Sequence, residues 1–379
     1  MSADERRAAL VAALTEAGSL TADWAPSVAA VPRHAFLPET IWVDEGDGNA
    51  ACSRSEEPER WMRLAYADLP VVTQWDDGAD DGARVTPTSS ASMPTVVVEM
   101  LADLDAAPGH RVLEVGTGTG YNAALLTHRL GAGMVSTVEV DGWVTARART
   151  ALRGAGFTPE VVCGDGALGW GVRAPYDRII STVSLRRIPP AWPAQTRPGG
   201  VIVSPVSPLL GGGAVVRLTV DGGGVACGRF TRSSAFMMLR QQRYEGAPVD
   251  DYLPGEWPGD SAQSWTKLDP GAVGDDWSAQ FACALALPDV YYRRSGFGEG
   301  GWTWWLFDTA VTSWATVDSV PGESRFEVRQ SGPRRLWDEV EAAHDRWESA
   351  GRPGCERYGL TVTPAGQTAW LDEPDNPLE

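Results

Sequence analysis

From His110 onward the chain falls into short apolar runs separated by stretches of helical periodicity. The runs Arg111–Val115, Met134–Val140, Glu160–Cys163, Arg178–Val183 and Val201–Val206 are rich in β-branched residues, and Tyr121–Leu130 and Trp143–Leu152 lie between them with helical spacing. Strands alternating with helices of ~10 residues predict βαβ units and a parallel sheet covered on both faces. Ala214–Val220 predicts a further strand, and the fold class is α/β, doubly wound. Before this domain, residues 1–30 predict a helix, and Val31–Glu39 (V-P-R-H-A-F-L-P-E) predicts a segment lying against another surface. Asp44–Glu59 is acidic and polar and predicts a loop. Asp76–Gly82 predicts an exposed turn, because its like charges cannot be packed together. Thr86–Pro94 leads into a helix through Leu101, with Ser92 or Thr95 as cap.

Past residue 231 the alternation stops. Trp302–Thr316 predicts strands, Arg334–Ala350 a helix, and the tail from Asp372 disorder. Of 17 tryptophans, 10 follow residue 250, which suits the core of a small α+β domain. Three units result: an N-terminal segment over 1–85, a ligand-binding domain over 86–230, and a C-terminal domain over 231–379 suited to substrate recognition.

Composition removes several function classes. The 379 residues include 50 acidic and 32 basic ones, a net charge of −18, so nucleic acid and anionic membranes are poor partners. No run approaches the ~18 apolar residues of a membrane span, and the start MSADERRAAL is charged where a secretory signal is apolar, so a cytoplasmic location is expected. Cys52, Cys163, Cys227, Cys283 and Cys355 are scattered without metal-ligand spacing, which argues against a disulfide framework or structural zinc. Lys267 is the single lysine and has no evident partner, and the histidines are His34, His110, His128 and His344. A phosphate-cradling G-K-[ST] loop, a G-x-S-x-G elbow and an H-E-x-x-H helix are all missing.

The chemistry is carried by E-V-G-T-G-T-G, Glu114 to Gly120, at the end of the first strong strand and the start of a helix. Its glycines allow a tight turn and close approach of a ligand to the main chain. Glu139 ends the second strand and Asp165 the third, so three successive strands deliver glycines or an acid to one edge of the sheet, where such folds bind nucleosides. A dinucleotide and S-adenosylmethionine compete for this edge. Gly118-x-Gly120-x-x-Ala123 and Glu139, 19 residues after Gly120, fit the first loosely. Glu114 beside a pyrophosphate and a glycine run that begins one turn too early favour the second, a cation without phosphate.

The segments V-P-R-H-A-F-L-P, S-S-A-S-M, P-G-H-R-V-L-E-V-G-T-G-T-G-Y-N-A, V-E-V-D, G-D-G-A-L-G-W, A-P-Y-D-R-I-I and R-P-G-G follow one another between Val31 and Val220. In these the chain resembles the protein-L-isoaspartate O-methyltransferases. The resemblance implies a Rossmann-like class I fold that binds S-adenosylmethionine and releases S-adenosylhomocysteine. By position, Glu114, Gly116, Thr117, Gly118 and Gly120 would hold the methionine moiety, Glu139 the ribose hydroxyls and Asp165 the adenine edge, with Val140 and Gly166 in the same cofactor set. Ser89 falls on the family's active-site serine, with Thr88 and Ser90 as helpers; the competing reading is that Thr88–Ser92 only cap the next helix. The family has isoleucine before that serine and proline two residues after it, where this chain has Thr88 and Ala91. It also lacks the long C-terminal extension. A branch associated with ribosomally made peptides such as lanthipeptides and graspetides looks similar in both respects. That branch implies an ordinary aspartate, with Asp-Gly the expected sequence, esterified and then closed to an aspartimide; the alternatives are repair of isoaspartyl damage in proteins, or an inactive peptide-binding scaffold.

Methyl transfer to a carboxylate needs no general base, because an acid with pKa near ~4 is already ionised at neutral pH. Alignment and desolvation then carry the rate. Arg84, Arg186 and Arg187 could counter substrate charge or simply be solvated. His34 and Phe36 could cover the cofactor or pack, and His110 and His128 suit helix ends.

Overall fold

The computed structural model describes residues 1–46, 48–79, 86–253, 255–298 and 300–378. Its centre is a nine-stranded sheet. From one edge the order is Glu160–Cys163, Val135–Glu139, Val112–Val115, Tyr176–Ser181, Thr196–Val206, Ala214–Val220, Ala226–Ser233, Tyr358–Thr363 and Gly366–Leu371. The first five run parallel and the rest pair antiparallel. Val112–Val115 is buried at every position, as a strand covered on both faces must be. Helices Pro94–Leu104 and Tyr121–Leu130 cover one face. On the other, Trp192 joins Phe281, Ala282 and Leu285 of helix Trp277–Ala286 against Leu113, Ile179 and Ile202. The α/β expectation therefore holds, with a C-terminal helix supplying part of the sheet's own cover.

The unit over 231–379 is accordingly not self-contained. A second sheet of five antiparallel strands, Ala262–Thr266, Phe326–Ser331, Trp314–Ser319, Gly301–Asp308 and Val290–Phe297, packs on helix Leu336–Ser349, with Trp304 edge-on to Trp337 at 6.1 Å. The next two strands return to the central sheet, where Ala226–Arg229 pair with Gly359–Val362. The tail is also ordered. Asp372 holds Arg357 at 2.7 Å and Leu378 donates its amide to the Ala369 carbonyl.

A third sheet lies before the central one. Strand Thr40–Asp44 pairs with Asn49–Ser53 and, through Trp42, with Val71–Trp75, which pairs with Pro87–Ala91. A division at 85/86 cuts this sheet between paired strands. The expected loop over Asp44–Glu59 contains the second hairpin strand and the start of helix Pro58–Ala65; alternating small residues there pair across strands despite the acidic flanks. Residues 1–30 form two helices, Ala3–Glu16 and Ala25–Ala30, broken near Gly18, whose φ of +77° ends the first. Asp76–Gly78 form a short turn; Asp80–Gly82 and Arg84 lie outside the described residues.

Arg33 ties this region together. Fully buried, it donates to the carbonyls of Ala65 (2.7 Å), Leu69 (3.3 Å), Ala91 (3.3 Å) and Ser92 (3.1 Å). The segment Val31–Glu39 is thus fastened to the strand that carries Ser89.

Candidate active site

At the carboxyl end of Val112–Val115 the chain turns through Gly116, Gly118 and Gly120, with φ of +90°, +51° and +90°. A Cβ on Gly116 would lie 2.8 Å from Val183 Cγ1, so the strand can end there only in glycine. The Gly118 amide donates to Glu139 Oε2 (2.9 Å), while Glu139 Oε1 accepts from the Asp141 amide (3.1 Å). Burial pushes the Glu139 carboxyl above its ordinary range, and the Gly118 and Asp141 amides oppose the shift. Gly116, Thr117, Gly118, Glu139, Val140 and Gly166 line one cavity of about 820 Å³, within the usual size of a ligand site.

Three predicted cofactor residues sit differently. Glu114 is fully buried beneath the loop and does not line the cavity. Its Oε1 accepts from Asn122 Nδ2 (2.7 Å) and its Oε2 from Thr137 Oγ1 (2.6 Å), so it braces the floor. Burial drives its carboxyl up to about 7, against those two hydrogen bonds. Asp165 also stays off the lining; its Oδ1 accepts from the Ala167 amide (2.8 Å) and shapes the turn that presents Gly166. Gly120 caps helix Tyr121–Leu130 and packs toward Leu152.

Ser89 faces the glycine loop from the third sheet. It is 8% exposed, and a Cβ on Gly118 would come within 4.0 Å of its Oγ and 3.6 Å of the Ser90 carbonyl. Thr73 Oγ1 donates to Ser89 Oγ at 3.1 Å, which leaves the Ser89 proton free to donate elsewhere. Thr88 Oγ1 donates to Gln74 Oε1 (3.0 Å) and accepts from the Asp77 amide (3.0 Å). Thr88, Ser89 and Ser90 all line the main cavity, and Ser89 also lines a neighbouring one of about 440 Å³ beside Phe36, Gly118 and Trp143. The capping alternative fails: helix Pro94–Leu104 has no side-chain cap, Met93 is its N-cap, and Thr95 binds Asp68 instead.

Over residues 54–237 the chain matches the family model of protein-L-isoaspartate(D-aspartate) O-methyltransferase. It is 49% identical over 163 residues to a protein-L-isoaspartate O-methyltransferase of Anaeromyxobacter dehalogenans strain 2CP-1, across 42% of this chain and 71% of that one. A second relative, protein-L-isoaspartate O-methyltransferase 2 of Archaeoglobus fulgidus, is 31% identical over 208 residues, covering 54% and 80%. The chain belongs to the protein-L-isoaspartate O-methyltransferase family. A solved structure of a protein-L-isoaspartate O-methyltransferase superposes with a TM-score of 0.55 at 20% identity, covering 97% of this chain and 100% of that one, and shares the fold.

As a family member the protein is an S-adenosylmethionine-dependent methyltransferase that releases S-adenosylhomocysteine. The glycine-loop side of the cavity suits that cofactor. It is lined by Glu139 and by Asn122, whose buried carbonyl oxygen has no partner among the described residues; such acceptors match hydroxyl and ammonium donors better than a phosphate chain.

Sequence reasoning overlooked much of the opposite wall. Ser233–Leu239, Arg240, Arg243 and Trp277 line it, held by the Ser184 amide on the Met237 carbonyl (2.7 Å) and the Leu239 amide on the Ser184 carbonyl (2.8 Å). No local pattern marks these residues, because main-chain bonds to a distant turn place them. Arg186 instead donates to the Gln242 carbonyl and lies over Tyr244, and neither it nor Arg187 lines the cavity. His34 bonds the Tyr66 hydroxyl (2.6 Å), His128 bonds Ser27 (2.9 Å), and His110 accepts from the Ala107 amide (3.1 Å). Phe36 packs edge-on to Tyr121.

Proposed function

We propose that the enzyme methylates an aspartyl-type carboxylate in a peptide or protein, with Ser89 as the residue that orients the acceptor. The observation that carries this reading is the approach of the Ser89 hydroxyl to Gly118, across one cavity from Glu139. The bound cofactor supplies an electrophilic methyl group on a sulfonium. Ser89, its oxygen engaged by Thr73, donates a hydrogen bond to one carboxylate oxygen and leaves the other free to attack. With the cofactor bound, a C–O bond would form as its C–S bond breaks, and the chain need supply no general base. Glu139 would hold the ribose hydroxyls, and the Gly116–Gly120 loop the methionine end. Glu114 would act through Asn122, whose free oxygen suits the cofactor ammonium, and Asp165 through the turn that places Gly166.

The names of the relatives support an isoaspartyl acceptor, and repair is the role we read with it. A second reading, an ordinary aspartate in a ribosomally made peptide, is favoured by Thr88 in place of the family's isoleucine and by the cavity residues beyond position 237, where the family match ends. In either case the next backbone nitrogen can attack the ester carbonyl, expel methanol and close a succinimide, most easily in Asp-Gly. Incubating the enzyme and S-adenosylmethionine with matched isoaspartyl and aspartyl peptides, then measuring mass, tests both. A gain of one methylene marks the ester and a net loss of one water the imide; neither product on either peptide would overturn the proposal.

A further inference from the structure

We propose that Arg240, Arg243 and Trp277 form a subsite for a second, acidic residue of the peptide, beside the residue being methylated. The inference rests on the carboxyl-methylation reading and adds a specificity to it. Both arginines line the cavity that Ser89 lines, and their guanidinium groups converge on one carboxylate. Asp77 Oδ1 accepts from Arg240 (2.7 Å) and Asp77 Oδ2 from Arg243 (2.6 Å). Arg240 also reaches Asp141 Oδ2 (3.2 Å). Each oxygen of Asp77 takes one N–H from a different arginine, so two guanidinium groups together hold one carboxylate by charge-assisted hydrogen bonds.

Asp77 has the marks of an internal stand-in. Its φ is +54°, in the left-handed region that aspartate enters more readily than most residues with a side chain, and the two ion pairs hold its carboxylate over the cavity wall. The three side chains keep 32%, 31% and 37% of their exposure for Arg240, Arg243 and Asp77, so an incoming carboxylate can reach the pair and exchange with the resident one. Trp277 adds a rigid apolar surface: it stacks on Phe281 with ring centres 5.1 Å apart and planes at 8° while lining the cavity.

Two facts separate this subsite from the family's shared machinery. All three residues follow position 237, where the family match ends. The chain also carries a net charge of −18, so an acidic peptide approaching the cavity meets a repulsive surface. Arg240 and Arg243, neutralised by Asp77 and Asp141 in the free chain, offset that repulsion only for a peptide whose own carboxylate takes the place of Asp77. The competing role is a latch, in which the same ion pairs only fasten the turn Asp76–Gly78 to the segment after Ser233.

The test compares two peptides that share one acceptor and differ in its neighbours, glutamate on both sides or glutamine on both sides. The wild type should show kcat/KM at least about tenfold higher for the glutamate peptide. Arg243→Gln and Arg240→Gln should each move that ratio toward one, and Arg243→Glu should transfer the preference to a lysine-flanked peptide. Asp77→Asn, which removes the internal competitor, should raise the ratio. Affinity for S-adenosylhomocysteine, measured on each variant, reports an intact fold. A wild-type ratio near one, or variants that slow both peptides equally as a latch would, overturns the subsite alone. Failure of the wild type to methylate either peptide overturns the carboxyl-methylation reading and the subsite with it.

Discussion

Across the main cavity, the glycine loop with Glu139 faces a wall of Thr88, Ser89, Ser90 and the segment from Ser233 to Arg243. The first side is built within a few residues of three neighbouring parallel strands, and main-chain geometry holds it: positive φ at three glycines and amide donors on Glu139. The second is assembled from segments far apart in the chain: side chains brace its serines and arginines, with Thr73 on Ser89, Arg33 on the carbonyls after Ser90, and two arginines on Asp77, while main-chain bonds to Ser184 place Met237 and Leu239. Backbone geometry local to neighbouring strands thus shapes the first side, and contacts between distant segments shape the second.

The contrast predicts that the two walls fail differently. On the glycine side, Gly116→Val places a side chain against Val183 at a φ of +90°, and affinity for S-adenosylhomocysteine should fall by at least about 100-fold, near 3 kcal/mol, in a calorimetric titration. On the serine side, Ser89→Ala should lower kcat by about 100-fold through misplacement of the acceptor, while cofactor affinity stays within about twofold. Equal losses in both quantities would show that the walls are not separable.

A smaller effect concerns the floor beneath the loop. Glu114 is raised from an ordinary value of 4.5 to about 7 by burial, so between those values the folded state binds the extra proton. The stability contributed by this group is complete below the unfolded pKa and is lost as pH rises through the folded one, by up to about 3 kcal/mol. Chemical denaturation at pH 5 and pH 8 should show this decline, and Glu114→Gln should flatten it.

The same division sets what could be read in advance. Gly116–Gly120, Glu139 and the parallel strands were legible because positive-φ glycines and buried β-branched runs are local constraints. Ser89 was reachable through family resemblance, yet its setting was not: local rules suggest a helix cap, whereas pairing with Val71–Trp75 makes it part of a strand. Glu114 shows the reverse error. Its position before the first glycine invites a ligand role, and only the placement of Asn122 and Thr137 turns it inward. The return of Tyr358–Thr363 and Gly366–Leu371 to the central sheet had no local signal, since edge pairing across more than a hundred intervening residues depends on the finished fold.

The central claim is that one cavity presents the cofactor's methyl position to the Ser89 hydroxyl. A crystal structure with S-adenosylhomocysteine bound tests it most directly. The account predicts ribose hydroxyls on Glu139 and the sulfur on the side of the cavity formed by Ser89; a cofactor lying elsewhere, or a sulfur turned away from that strand, would contradict it.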